Sequence, residues 1–297
     1  MTVIIEPMGG LGNQLFVYAA GRAQAVREET SLYVDPRNYL NNPSRSFELD
    51  SFISNFLEVE PCPRSFQMLL SRVRGLRLLL RQGFLKTFFR RIATVESAFL
   101  FVAPEASKCR VTRLRGYFQS WRYFGNLSHE LRSEIRDIAT PSDWFQEMSA
   151  SVLAAGTTVG IHVRRGDYVT NPHMGVVPER YYESALRILQ NLVGDFRIYV
   201  FSDDIDSLST SSFLWPWRES MIFVYPSRGS RPIESLNLLG QCGHVVMANS
   251  SFSWWGAWLG EGSERYVFYP RPWLAGAYVD DRDLVLPHWI SLGTEAS

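Results

Sequence analysis

The chain has 297 residues, 46% of them hydrophobic, with 30 basic and 30 acidic residues and a formal net charge of zero. That length supplies cores for two compact domains or one large one, and the apolar fraction excludes a disordered chain. The neutral balance leaves no electrostatic footprint for nucleic acid. Three cysteines, Cys62, Cys109 and Cys242, odd in number and without metal-ligand spacing, fit a reducing cytoplasm.

No run of about 20 apolar residues occurs. The start, Met1-Thr2-Val3-Ile4-Ile5-Glu6, lacks the basic flank and apolar length of a signal peptide, so the chain is expected to begin directly in its first strand. Thr2 to Ile5 is β-branched and apolar, Gly9-Gly10-Leu11-Gly12 is a turn-forming loop, and Asn13 can cap a helical run through Leu15, Phe16, Ala19, Ala20 and Ala23. A second strand follows at Ser31 to Val34. This order opens an α/β domain with a parallel sheet.

From Pro61 to Val95 there are eight basic residues and no acidic one, set among leucines and phenylalanines. The segment reads first as a helical pair packed on its own domain with solvated arginines. The side reading is a basic amphipathic face over 64–91 that touches an anionic membrane, placing a cytoplasmic protein peripherally on the inner membrane face. Between Ala139 and Thr158 the pattern loosens, which marks a passage between domains and puts the boundary near residue 155.

The second half alternates: strand Thr158 to Val163, helix Pro178 to Leu192 with the proline in its first turn, strand Phe196 to Phe201, strand Ile222 to Tyr225, helix Ile233 to Cys242, strand Val245 to Ala248. Three of these strands run directly into polar clusters, Arg164-Arg165-Gly166-Asp167, Ser202-Asp203-Asp204 and Asn249-Ser250-Ser251-Phe252-Ser253. The carboxyl ends of strands in an open parallel sheet are where ligands bind. Two arginines can hold a diphosphate, a carboxylate can accept from the N1–H and amino group of guanine, and a serine-rich turn opening a helix can donate to phosphate. Each cluster also has a bland reading, as a surface ion pair, a helix cap or an N-cap, with Trp254, Trp255 and Trp258 as core. Convergence at three strand ends favours a nucleotide-diphosphate site.

Two rival chemistries have weaker support. Gly10-Leu11-Gly12 imitates the start of a dinucleotide fingerprint, but Leu15 stands where its third glycine belongs. Asp204-Ile205-Asp206 and Asp281-Arg282-Asp283 have a spacing used to bind a cation beside a diphosphate. Arg164 and Arg165 can offset the same charge, so no metal is expected.

Five strings carry a family likeness: Gly9-Gly10-Leu11-Gly12-Asn13-Gln14-Leu15-Phe16, Gly116-Tyr117-Phe118-Gln119-Ser120, His162-Val163-Arg164-Arg165-Gly166-Asp167-Tyr168, Phe201-Ser202-Asp203-Asp204, and Asn249 through Leu259. Together, from about residue 3 to Trp289, they resemble α-1,2-fucosyltransferase family 11 in its bacterial form. The resemblance implies a GT-B-like α/β fold of two Rossmann-type domains facing a cleft, an acceptor-side domain at 1–155 and a donor-binding domain at 156–297. It also implies the donor GDP-β-L-fucose, no metal or other cofactor, and inverting transfer to the 2-hydroxyl of a terminal galactose in an oligosaccharide or lipid-linked glycan of surface polysaccharide.

Carried onto this chain, the likeness puts Arg164 and Arg165 at the diphosphate and His162 by the guanine. Asp204 and Asp203 would read the base, Asn249, Ser250, Ser251, Phe252 and Ser253 would hold the donor, and Gly10, Gly12 and Asn13 would face the cleft. Arg164 is the expected catalytic group through charge stabilisation of the leaving GDP. Asp167 is a second catalytic candidate in the same motif, with His173 and Glu179 downstream and no general base singled out. One departure stands out: where the family usually has Glu-Asp opening the helix before the final strand, this chain has Glu234-Ser235, with Glu234 as a substitute donor contact.

Overall fold

The computed structural model describes residues 1–39, 45–50, 59–61, 92–97, 100–102, 111–169, 171, 174–260, 262, 264–274 and 280–294, with backbone alone at 59–61, 92–97 and 212. The basic segment 64–91 and His173 lie outside the described residues. Contacts divide the chain into two compact units, Met1–Leu131 with Arg282–Leu284, and Arg132–Asp281 with Val285–Ser297.

The first unit holds a parallel sheet in the order β3-β2-β1-β5-β4, built from β1 (Val3–Glu6), β2 (Leu32–Val34), β3 (Val59–Pro61), β4 (Ile92–Ser97) and β5 (Val111–Gly116). The central strand β1 is buried at every position, as an apolar run between two neighbours must be. Its one charge, Glu6, pairs with Arg113 of β5, each 1% exposed. Such a pair adds little net stability but is costly to break, because the surviving charge stays buried.

Helix α1 (Leu11–Arg27) connects β1 to β2 and buries Leu15, Phe16, Tyr18 and Ala19. Gly10, not Asn13, is its N-cap, and Asn13 lies inside the first turn with its N–H donating to the Gly10 carbonyl at 3.0 Å.

The second unit holds a parallel sheet in the order β11-β10-β9-β6-β7-β8, from β6 (Thr158–Val163), β7 (Arg197–Ser202), β8 (Met221–Phe223), β9 (His244–Val246), β10 (Val267–Arg271) and β11 (Ile290–Gly293). The chain starts this sheet at the centre, runs outward to β8, then returns to the far side of β6. Strand order therefore reverses between β6 and β9, as in the doubly wound nucleotide-binding fold. Both sheets agree with the α/β reading of the sequence, which does not include β3, β4, β5, β10 or β11 among its expected strands.

Six helices follow α1 among the described residues: α2 (Ser128–Arg136), α3 (Asp143–Ala154), α4 (Glu179–Val193), α5 (Ile205–Ser209), α6 (Pro232–Gln241) and α7 (Ser251–Leu259). Pro178 stands one residue outside α4, as its N-cap with ψ of 146°. The loosened stretch 139–158 contains α3, which the sequence conceals because only Val152 of that helix is fully buried.

Helix α3 is tied to the sheet that follows it. Ser142 caps α3 by accepting from Phe145 N at 3.2 Å, while its own N–H and hydroxyl donate to Glu234 of α6 at 2.7 and 3.0 Å. Arg132 Nε donates to the Trp258 carbonyl at 2.9 Å with its guanidinium 4.4 Å from that indole, and Arg136 donates to the Leu259 carbonyl. These bonds place positive charge at the carboxyl end of α7, where the helix dipole favours it. They also explain why the units divide at residue 131, ahead of the passage expected near 155.

Trp254, Trp255 and Trp258 are core, with edge-on ring contacts of 5.1 and 5.0 Å. Each such side chain removes on the order of 150–250 Å² from water, which anchors α7 and fixes where its amino terminus emerges. Glu234 is 0% exposed and also accepts from Arg231 N at 2.9 Å. Glu234→Ala should lower unfolding free energy by about 2–4 kcal/mol by stripping three donors of their acceptor; urea unfolding monitored by circular dichroism checks it.

Candidate active site at the reversal of the second sheet

A cavity of about 230 Å³ opens at the carboxyl ends of β6, β7 and β8. His162 and Arg164 line it from β6, and Phe201, Ser202 and Asp203 from β7. Val224, Pro226, Ser230 and Arg231 come from the loop into α6, with Pro232 and Ser235 from α6 and Phe252 from α7. The three expected clusters therefore contribute to one site, as parallel strands with a reversal between β6 and β9 require.

Asp203 organises the cavity mouth. One carboxylate oxygen accepts Arg165 N at 2.9 Å and the other pairs with Arg164 Nη1 at 3.2 Å. A Cβ at position 166 would fall 2.1 Å from that second oxygen, so any other residue there would push the carboxylate away from Arg164. Arg164 also donates to Asp167 at 2.6 Å, and its guanidinium lies 5.4 Å from the Tyr168 ring. Two carboxylates thus orient Arg164 while leaving its side chain 21% exposed. A preset, partly exposed guanidinium can take a phosphate oxygen with little further ordering.

Arg165 diverges from its neighbour. Its guanidinium bonds Glu179 of α4 at 3.0 Å, and it is not among the lining residues. Its backbone, not its charge, serves the cavity mouth. Glu179 is engaged by that bond, and Asp167 acts in the observed geometry as a partner of Arg164.

His162 is 4% exposed, with its ring 5.1 Å from Phe252 and its Nδ1 without a hydrogen-bond partner. Burial, reinforced by the Arg164 charge, lowers its pKa from 6.5 to about 3. The imidazole is therefore neutral at physiological pH and a poor proton acceptor. It suits hydrogen bonding and stacking.

The serine turn divides its tasks. Ser250 caps α7 by accepting from Phe252 N at 3.3 Å, while Ser251 begins the helix, where N–H groups point outward. Ser253, expected at the phosphate, is 0% exposed and donates to the Ala248 and Ser250 carbonyls, both at 3.0 Å. Asn249, expected at the donor, is 4% exposed and its Nδ2 donates to the carbonyls of Met174 and Gly175 at 2.8 and 3.2 Å. Tyr168 donates to the Asn249 carbonyl at 3.2 Å. These two side chains shape the turn and moor the loop after β6. Phe252 is the side chain of this cluster that lines the cavity.

Asp204 is not among the lining residues. Its N–H donates to Ser202 Oγ at 3.0 Å and its carboxylate accepts from Ser207 at 2.9 Å, so it shapes the entry to α5. Glu234 is no substitute ligand group, since Ser142 and Arg231 hold it inside the fold. Sequence reasoning missed Val224, Pro226, Ser230 and Arg231, whose loop carries no cluster signal. Ser235 was singled out only for the aspartate it replaces.

In the first unit the sheet order reverses between β1 and β5, and the two N-terminal strings meet there. Gln119 donates to the Asn13 side chain at 2.7 Å. Gly9 adopts φ of +74°, and its carbonyl accepts from Gln14 and from Tyr39 at 3.1 and 2.9 Å. Gly10 ends the loop as the N-cap, whereas Gly12 is buried in the first turn of α1.

Asp281 and Asp283, which have cation spacing, are each held by an arginine. Asp281 pairs with Arg271 at 3.4 Å and Asp283 with Arg122 at 2.8 Å. Among the described residues, no group of three or more His, Cys, Asp or Glu is placed to hold a metal ion, and no helix is long and apolar enough to cross a membrane.

Comparisons with known proteins agree with this geometry. The family model described as Glycosyl transferase family 11 matches residues 2–293. The chain is 28% identical to an alpha-1,2-colitosyltransferase of Escherichia coli over 98% of its own length and 99% of that protein. It is 32% identical to the galactoside alpha-(1,2)-fucosyltransferase 2 of Hylobates lar, over 52% of this chain and 47% of that one. Among solved structures, the fucosyltransferase NodZ from Bradyrhizobium superposes with a TM-score of 0.54 at 16% identity, covering 87% of this chain and 93% of that one, a likeness of fold.

Because His162 takes up a proton far less readily when folded, the unfolded chain binds protons first as pH falls below about 6.5, and stability declines from there toward about pH 3. His162→Gln should shrink the loss between pH 7 and pH 5 by on the order of 1–2 kcal/mol. Thermal denaturation of both proteins across that range measures it, and His244, also lowered by burial, contributes equally to both.

Proposed function

The chain belongs to glycosyl transferase family 11, and from that premise we propose that it is an inverting α-1,2-fucosyltransferase. It moves L-fucose from GDP-β-L-fucose to the 2-hydroxyl of a terminal galactose in an oligosaccharide or lipid-linked glycan, without a metal, in the assembly of surface polysaccharide on the cytoplasmic side. The observation that carries the reading is Arg164, preset by Asp203 and Asp167 at the lip of a cavity formed by three strand ends. The likeness to the two α-1,2-transferases supports the linkage. The donor side is assigned to the second unit, and the acceptor side to the N-terminal part, where Asn13, three residues after the N-cap Gly10, meets Gln119.

Transfer with inversion breaks the C1–O bond to the diphosphate while the acceptor oxygen arrives from the opposite face of the sugar. Negative charge collects on the departing GDP, and the largest available help is to stabilise it. Arg164 supplies a positive charge fixed before the reaction. The outward N–H groups at the start of α7 add dipoles of the same sense. His162, neutral, and Phe252 form the wall beside the nucleotide. The acceptor proton leaves as C–O bond formation advances, and a dissociative transition state lowers the demand for a strong base.

A colitosyl donor is the second reading, favoured by the full-length likeness to the colitosyltransferase. GDP release measured with EDTA present, using lactose, a β-1,3-linked galactoside or no acceptor and either donor, separates the readings. Acceptor-dependent release with GDP-fucose and an α-1,2 linkage in the product is expected. A product of another linkage, or GDP-fucose binding without turnover on any galactoside, refutes the proposed reaction. Arg164→Ala should lower kcat/KM by about a hundredfold or more with the fold intact, since a charged hydrogen bond that strengthens in the transition state contributes about that factor. Near-normal activity in that variant removes Arg164 from the mechanism.

A further inference from the structure

A second cavity, of about 160 Å³, lies at the β8 edge of the second sheet and shares no lining residue with the cavity at the strand ends. The chain before β8, Ser212–Ser220, is a 3₁₀ helix with Pro216 inside it. Three residues per turn eclipse the side chains at i and i+3. Leu214 and Trp217 therefore share an inward row, both buried, and Trp217 Nε1 donates to Gln190 of α4 at 2.9 Å. Trp215 and Arg218 share the outward row, with the Arg218 guanidinium 5.7 Å from the Trp215 ring. Trp215 is 61% exposed, and its Nε1–H meets no acceptor among the described residues.

The floor of this cavity is apolar, made by Leu208 of α5, Leu214, and Met221 and Phe223, which share one face of β8. Its rim is polar. Ser209 Oγ and Ser211 Oγ donate to the carbonyls of Asp206 and Ser207 at 2.8 and 3.3 Å, which leaves both oxygens able to accept. Arg218 makes no ion pair among the described residues, and none of the lining residues is a carboxylate. Val224 N donates to the Val200 carbonyl at 2.9 Å, so the N–H and carbonyl of Phe223, one residue earlier, turn to the open edge. A pyranose ring matches this surface, since its C–H face lies flat on an aromatic face while the hydroxyls around it both donate and accept. The volume is below the roughly 300–1,000 Å³ of sites that enclose a drug-sized ligand, so it takes one sugar unit of a longer chain. Asp206 and Glu219 stand beside the rim's single cation, which leaves no excess positive charge for an anionic membrane.

We infer that this cavity is a saccharide-binding site separate from the one at the strand ends, with Trp215 stacking on one pyranose of a galactoside chain and Arg218 bonding its hydroxyls. The site does no chemistry; glycan held there stays at raised local concentration around the enzyme. The choice of a galactoside rests on the proposed reaction, whereas the indole, the guanidinium and the apolar floor stand without it.

The indole N–H region of a proton–nitrogen NMR spectrum reads this residue directly. The chain has nine tryptophans, and the indole signal missing from Trp215→Phe is that of Trp215. Lactose titrated into the full chain without donor should move that signal saturably, with a dissociation constant of about 1–10 mM, the strength of one stacked ring and one or two hydrogen bonds. Arg218→Ala, its fold confirmed by the other indole signals, should weaken this binding by about threefold to tenfold. Turnover of lactose in both variants should stay within about twofold of wild type, since neither side chain lines the strand-end cavity. Sorbitol, an open-chain polyol, should leave the signal in place; an equal shift with sorbitol overturns the inference, because no ring is then being read. So does a Trp215 signal unmoved by lactose up to about 100 mM, roughly tenfold above the weakest affinity expected. A signal that moves only with vesicles of anionic phospholipid overturns it too, and assigns the cavity to a membrane surface. Saturable lactose binding at Trp215 with no fucosyl transfer to any galactoside refutes the proposed reaction and leaves this site standing, whereas transfer with an unmoved Trp215 signal refutes the site alone.

Discussion

Two contacts from the Asp203 carboxylate hold the second unit's site together. A carboxylate at the end of one strand accepts a backbone N–H from the loop after its neighbour and pairs with the arginine beside that N–H. The loop and β7 thereby approach so closely that a Cβ at position 166 would displace the Asp203 carboxylate. Arg164 is then aimed from two sides, and Arg165, whose backbone is pinned, has its side chain directed toward α4. Adjacent arginines that look interchangeable in sequence acquire separate duties from one carboxylate. An arginine held before substrate arrives loses less rotamer entropy on binding than a free one.

The central strands β1, β6, β7 and β9 were legible because strands buried on both faces read as apolar runs, and three of them end in polar clusters, whereas β3, β4, β5, β10 and β11 gave no such signal. Side-chain direction was not legible. Ser253 and Asn249 sit in a motif suited to phosphate, yet their polar atoms turn inward to carbonyls. Asp203 and Asp204 are equivalent by composition, and what divides them is that Asp203 approaches Gly166 and Arg164 while Asp204 accepts from Ser207. Helix α3 escaped because its exposed surface gives almost no periodic signal, and its partner Glu234 stands 92 residues away from Ser142 in the chain. The loop bearing Arg231 has no local pattern at all.

The first unit repeats the logic with neutral groups. Its glycine loop is held by the carbonyl of Gly9, which accepts from both Gln14 and Tyr39, and by the amide pair of Asn13 and Gln119. Phe118, buried at 1%, takes φ of +49°, a conformation disfavoured for a side chain with a Cβ. Packing must offset that cost, and the turn it makes leaves Tyr117 39% exposed beside Gln119. Strain and amide pairing thus gather at the reversal of the first sheet.

The bonds from Ser142, Arg132 and Arg136 to α6 and α7 bear on how the chain can be dissected. A C-terminal fragment cut at residue 156 would leave Glu234 without the two donors of Ser142, and would expose the carbonyl end of α7 without its arginines. A fragment that starts at residue 132 keeps all of them. The polar clasp of α6 and α7 thus begins upstream of the second sheet, and during synthesis Arg132, Arg136 and Ser142 leave the ribosome before the helices they hold.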